Sequence, residues 1–157
     1  MKSLRYMIVA LLVALTTGAE GKVVQVPHVY MFGFSASFTD STIYFTEIQD
    51  IPNAWMDKKT KFLSGRDNYS YQLKNYLTEQ LQQPNRVCVI FFSKNQKKAE
   101  RKYEKLRKRY LTPSKDKKKK SKKRKGKKAV GTNATSYDIR YISQQDFRFE
   151  PVDMSEE

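Results

Sequence analysis

The sequence predicts an α+β domain: a two-layer sandwich with a four- or five-stranded sheet and two helices, in the order β-β-α-β-α-β with an optional final strand. Three observations predict it. Val87-Cys88-Val89-Ile90-Phe91-Phe92 is an unbroken apolar run ended by Ser93, as in a strand covered on both faces. Just beyond it Ala99, Tyr103, Leu106 and Tyr110 recur at helical spacing and mark the buried stripe of an amphipathic helix. Finally, the runs HVYMFGFSA (28–36) and TIYFTEI (42–48) are rich in strand formers and flank the turn residues 37–41, which reads as a hairpin.

In chain order, residues 22–27 are a lead-in to the first strand. Gly33, within that strand, marks a bulge or a close neighbour that leaves no room for a side chain. Residues 49–66, with Pro52 and Gly65, read as an irregular connection in which Trp55 packs as a lid over one edge of the core. A first helix is expected over 67–82, capped by Asp67, Asn68 or Ser70. Its apolar stripe is Leu73, Tyr76, Leu77 and Leu81, and Pro84 stops it. A crossover through this helix places the strand at 87–93 parallel to the one before it. Ser93 followed by Gln96 matches a capping box, so the second helix is expected to start there. Residues 137–142 are a strand candidate, and 146–152 alternate well enough to form an optional edge strand closed by Pro151.

Charge is concentrated in one place. Nineteen of the 31 Lys and Arg lie between Lys97 and Lys128, against Glu100, Glu104 and Asp116. That stretch carries +16 of the net +15, and the remainder sums to −1. The protein therefore reads as a near-neutral domain, 39% hydrophobic and 13% aromatic, bearing one basic arm. At its core is KDKKKKSKKRKGKK (115–128), a low-complexity run with no apolar residue. It is expected to form part of a disordered insertion over 113–134, a long basic loop before the last strand. Its eleven cations, Lys115, Lys117, Lys118, Lys119, Lys120, Lys122, Lys123, Arg124, Lys125, Lys127 and Lys128, are the candidate polyanion-binding residues. They are not interleaved with aromatics, so base stacking is not expected.

The first 21 residues read as a cleaved signal peptide, ahead of a single domain over 22–157. Lys2 and Arg5 precede the nine-residue apolar core at 7–15, and Thr17-Gly18-Ala19 supplies small residues for cleavage after Ala19, with Gly21 as a second choice. Export to the periplasm or cell envelope, or secretion, is the expected location. No second long apolar stretch follows, so the mature protein is not expected to be an integral membrane protein.

Sites of chemistry are sparse. One His and one Cys make a structural zinc site unexpected, and neither GxGxxG nor GxxxxGK[ST] occurs, so no cofactor or metal is expected. Cys88 lies inside the apolar run and reads as a small buried hydrophobe. Ser35, Ser37 and Ser41 lack a nucleophile-elbow context. Asp40, Glu47 and Asp50 form the one acidic cluster on which a small hydrolase reading rests. The leading expectation is a non-enzymatic exported protein whose basic loop contacts anionic lipid, lipopolysaccharide or acidic glycan. A nucleic-acid-binding protein using the same run is the second reading.

The segments VYMFGFSASFTDSTIYFTEIQDI and KFLSGRDNYSYQLKNYL, with the closing DFRFEP, resemble a group of short exported Bacteroidetes proteins without an assigned function. The resemblance spans most of the mature chain and implies location rather than mechanism. RVCVIFFSKNQKKAERKYEKLRKRY also resembles half of a peptidoglycan-binding SPOR domain, although the element order here departs from that family's βαββαβ.

Overall fold

A computed structural model describes residues 22–111 and 136–155. Five strands and two helices follow one another: β1 (Val23–Ala36), β2 (Thr42–Thr46), β3 (Gln49–Asp57), α1 (Arg66–Glu79), β4 (Val87–Ser93), α2 (Gln96–Leu111) and β5 (Asp138–Ile142). The expected signal segment (1–21) and the whole of the expected lysine-rich insertion (113–134) lie outside the described residues. The α+β class and the five-stranded sheet with two helices are as the sequence predicts.

β1 is the spine. It pairs antiparallel with β2, β3 and β4, while β5 pairs parallel with β2. Phe34 and Ser35 pair with β2 and β4 at once, and Tyr30 and Met31 with β3 and β4 at once. A strand has only two edges, so β4 takes one edge of β1, and β2 and β3 lie end to end along the other. β3 and β4 both run against β1 and are parallel to each other with β1 between them, the direction expected of a crossover through α1.

The second edge contains a register slip. From Phe34↔Phe45 to Met31↔Gln49, three steps along β1 face four along its partner, which is a bulge across residues 46–48. Thr46 makes the bulge tolerable: its Oγ1 accepts the Gly33 N–H at 2.8 Å and donates to Glu47 O at 3.0 Å. Farther along, pairing skips Pro27 and Asn53, and Asn53 adopts a left-handed φ of 53°. The buried positions then step by three residues, Val26 to Val29 and Ile51 to Ala54. This accounts for the missed strand: Pro52 and the broken alternation make 49–57 look irregular, yet β3 is nine residues long with Trp55 in it. Pro52 is tolerated because β3 borders the sheet.

Alternation along β1 sends the two helices to opposite faces. Phe32 and Phe34 meet α2, with Tyr103 edge-on to Phe32 at 5.0 Å and Tyr110 stacked on Phe34 at 5.2 Å. Gly33, between them, points to α1, where an added Cβ would lie 2.5 Å from Leu73 Cδ2 and 3.3 Å from Phe149. The helices therefore sandwich the sheet in three layers, not the two expected, because both sides of the central strand are apolar and each side requires cover. Gly33 is the close-neighbour glycine: α1 sits too near to permit a side chain.

α1 buries Tyr69, Leu73 and Leu77, with Tyr76 and Leu81 packed beside them. None of the expected side chains caps it. Gly65, at φ 66°, forms the N-terminal boundary, and a Cβ there would meet Val152 Cγ1 at 2.9 Å. The helix ends at Glu79, before Pro84 acts, because Gln82 turns left-handed (φ 55°) and Gln83 N–H reaches back to Leu77 O at 2.8 Å.

The optional last strand expected over 146–152 does not form. Residues 146–152 alternate as expected, with Phe147 and Phe149 buried, but side-chain amides take the place of a strand ladder. Gln49 donates to Phe147 O and accepts from Phe149 N–H, both at 2.9 Å. Gln72 of α1 does the same one step on, donating to Glu150 O at 3.0 Å and accepting from Glu150 N–H at 2.9 Å. The segment thus lies under α1, and Phe147 packs 5.0 Å from Tyr76.

Candidate polyanion-binding face

α2 starts two residues later than the capping-box pattern suggests. Asn95 Oδ1 accepts the Lys98 N–H at 3.1 Å and so caps the helix, while Ser93 Oγ accepts the Asn95 N–H at 3.2 Å. This phase turns Ala99, Tyr103, Leu106 and Tyr110 onto the sheet. Burial of Tyr103 among Phe32, Phe45 and Tyr141 pushes its phenol up to about 12.

With the aromatic stripe turned inward, the outer surface is cationic. Lys97, Lys98, Arg101, Lys102, Lys105, Lys108 and Arg109 are all exposed. Among the described residues only Arg107 of this helix has an acidic partner, Glu104 at 3.1 Å. Glu100 instead accepts from Gln96 at 3.0 Å. The two acids share one flank with Glu47, around a shallow groove of about 290 Å³ that Tyr103 also lines. Like charges at Lys97/Arg101, Lys98/Lys102, Arg101/Lys105 and Lys105/Arg109 sit four residues apart and cost the helix a few tenths of a kcal/mol each. Packing of the aromatic stripe, not surface charge, must hold α2 in place.

Basic side chains also close the outer edge of β4. Arg66 Nη2 donates to Ile90 O at 2.9 Å and Lys102 Nζ to Phe92 O at 2.8 Å. Both cations lie 5.8 Å from the centre of the Phe92 ring. Such side chains protect an edge strand from pairing with another chain. Beside them Lys61, Lys94, Lys98 and Lys102 surround a hollow of about 260 Å³ above Phe92 and Asn95. Lys61 comes from the turn after β3, and its left-handed backbone (φ 61°) brings it to this hollow. Nothing in the local sequence announced that contribution.

The predicted polyanion residues, from Lys115 to Lys128, and the predicted cleavage point at Ala19 lie outside the described residues. The described chain leaves at Leu111, the last residue of α2, and returns at residue 136.

The acids of the hydrolase reading have separate partners. Asp40 meets Arg86 Nη1 at 2.9 Å, Glu47 accepts the Gln144 N–H at 2.9 Å, and Asp50 pairs with His28 Nδ1 at 2.9 Å. The Thr42 N–H first, and then the Arg86 guanidinium, hold the Asp40 carboxyl below its usual range. Ser35 is fully buried and accepts from Arg86 Nε at 3.4 Å, while Ser37 bonds Thr39 at 2.8 Å. His28 lies seven residues from Ser35 on β1, about 23 Å along an extended strand. Among the described residues no group of three or more His, Cys, Asp or Glu is placed to hold a metal ion.

Arg86 is the buried charge that sequence reasoning did not single out. It is 4% exposed, lies 4.8 Å from the centre of the Tyr44 ring, and donates to Thr42 O as well as to Asp40 and Ser35. It ties the β1–β2 turn to the start of β4. Cys88 is half-buried next to it, with its thiol donating to Ser35 Oγ at 3.6 Å. Burial pushes that thiol up, so it is a poor nucleophile.

No helix of the described residues is long and apolar enough to cross a membrane. Comparison with protein-family models, curated proteins and solved structures finds no match.

Proposed function

We propose that this is an exported, non-enzymatic protein of the periplasm or cell envelope that binds anionic surface components through the outer face of α2 and the lysine run it leads into. The observation that carries this reading is the exposed row of seven cations on α2, none with an acidic partner among the described residues. These charges oppose one another in the free protein, and an anionic partner relieves that repulsion. Beyond Leu111 the chain adds eleven more cations between Lys115 and Lys128 against Asp116 alone. In sequence, the basic residues of the helix thus continue into the run.

Anionic lipid, lipopolysaccharide and acidic glycan are the partner chemistries such a surface takes in an envelope. Duplex nucleic acid would be held through phosphates alone, because Tyr103 and Tyr110 are committed to the core and offer no stacking platform. Binding to lipopolysaccharide, to heparin as a model acidic glycan, and to anionic vesicles is expected to weaken steeply with added salt. Deleting residues 115–128 is expected to reduce it by an order of magnitude or more, at about 1 kcal/mol per cation near an anionic surface. Unchanged binding after the deletion would refute the reading. Mass spectrometry of the mature N-terminus with cell fractionation tests the location, and an intact N-terminus in the cytoplasm would favour nucleic acid.

A further inference from the structure

We propose that the end of the domain at which β1 stops and α2 terminates docks on an anionic lipid bilayer, with Phe38 and Leu111 entering the head-group layer. This deepens the preceding reading and rests on it.

Several element ends meet there. Ala36, the last residue of β1, pairs with Val87, the first of β4. Asp138, the first residue of β5, donates its N–H to Ser41 O at 3.1 Å. Tyr110 in the last turn of α2 stacks on Phe34 and sits edge-to-face with Tyr137, both at 5.2 Å. Four apolar side chains are exposed there: Phe38 is 96% exposed, Leu111 53%, Val87 48% and Tyr137 41%. Scattered exposed apolar residues need no explanation, but four gathered at one end of a small domain do.

The turn holds Phe38 outward. Ser37 Oγ bonds Thr39 Oγ1 at 2.8 Å and accepts the Thr39 N–H at 3.1 Å. Asp40 Oδ1 accepts the Thr42 N–H at 2.8 Å, and Asp40 Oδ2 meets the buried Arg86. Every neighbour of the ring is thus tied down, and little ordering entropy remains to be lost when the ring inserts.

Charge complementarity selects the occupant. Lys108 and Arg109 occupy the last turn of α2 beside Leu111, and in sequence the eleven-cation stretch begins at Lys115, four residues on. The acids at this end, Asp40 and Asp138, have partners in Arg86 at 2.9 Å and Arg140 at 3.0 Å. A duplex engages the cations through its phosphates and an acidic glycan through its sulfates or carboxylates, and neither has a use for the aliphatic side chains of Leu111 and Val87. An anionic bilayer uses both, with lysines at the head groups and apolar side chains at the acyl boundary, and one weak signal without the other does not anchor a protein.

The test uses the mature full-length chain with phosphatidylcholine vesicles containing or lacking phosphatidylglycerol, read by co-sedimentation, with heparin binding in parallel. Wild type is expected on the phosphatidylglycerol vesicles alone. Phe38→Ser and Leu111→Ser are each expected to weaken that binding about tenfold while leaving heparin affinity unchanged. Phe38 is so exposed that its substitution should not disturb folding, and circular dichroism verifies this. In a Trp55→Phe, Phe38→Trp protein the indole emission is expected to shift to the blue on vesicles and to be quenched by brominated lipid. Undiminished vesicle binding by Phe38→Ser, or an unquenched indole on bound protein, overturns docking and leaves polyanion binding standing. Wild type that binds neither heparin nor vesicles overturns both. A Phe38→Ser protein that loses single-stranded oligonucleotide but keeps vesicles overturns docking in favour of nucleic acid.

Discussion

The two helices cover opposite faces of one sheet, and they do so by opposite means. α1 sinks Tyr69, Leu73 and Leu77 fully into the core, and its Gln72 pegs the C-terminal segment beneath it. α2 buries only Ala99 completely and rests on the half-exposed rings of Tyr103 and Tyr110. α1 carries mixed charge, whereas α2 carries seven exposed cations that repel one another. Stability and surface chemistry are thus divided between the faces. The α1 face carries most of the cooperative core, and the α2 face has just enough apolar contact to hold a charged helix in place.

The largest effect is expected from Leu73→Ala. Its side chain is wholly buried against Gly33, so we expect a loss of about 2–5 kcal/mol by urea denaturation. Leu106→Ala on the other face should cost less than half as much, since Leu106 is only half-buried. Equal costs would refute the division.

Arg86→Ala comes next. It strips partners from Ser35 and Thr42 O inside the protein and from Asp40 at its surface, and should cost about 2 kcal/mol. It also predicts a pH dependence. The Asp40 carboxyl is held below its ordinary 3.8 in the folded state, so its contribution is present above that value and is lost as pH falls through the depressed one. Asp40→Asn should flatten this acid limb of the stability profile, and an unchanged limb would show that other carboxylates dominate it.

Gln49→Met, which nearly preserves volume, should cost about 1–2 kcal/mol by leaving Phe147 O and Phe149 N–H without the amide that spans them. Hydrogen exchange at the Phe149 amide should accelerate with it. The smallest stability effect is expected for Arg101→Gln: within about 0.5 kcal/mol of wild type, and on the stabilising side because two like-charge neighbours are relieved. The same change should weaken heparin and vesicle binding. A helix that loses stability while keeping its affinity would reverse the roles assigned to the faces.

Much of this was legible in the chain. β4 runs from Val87 to Ser93 as its apolar run predicts, and the α2 stripe is the one its spacing predicts. The basic face was legible as composition alone, because charge requires no partner to be recognised. β3 was not, because Pro52 and the left-handed Asn53 break the two-residue period that marks a strand. Asn95 took the cap from Ser93 because capping depends on the turn actually made, and both residue types suit it.

Which segments are apolar, which helix is charged and where the charge is concentrated follow from the amino-acid order alone, since periodicity and composition are local properties. That the helices flank the sheet and that two glutamines hold the last segment emerges only from the folded chain. The fold also brought Phe38, Val87, Leu111 and Tyr137 to one end of the domain. These are relations between residues up to a hundred positions apart. They arise from pairing register and from the alternating faces of β1, which no short window of the chain contains.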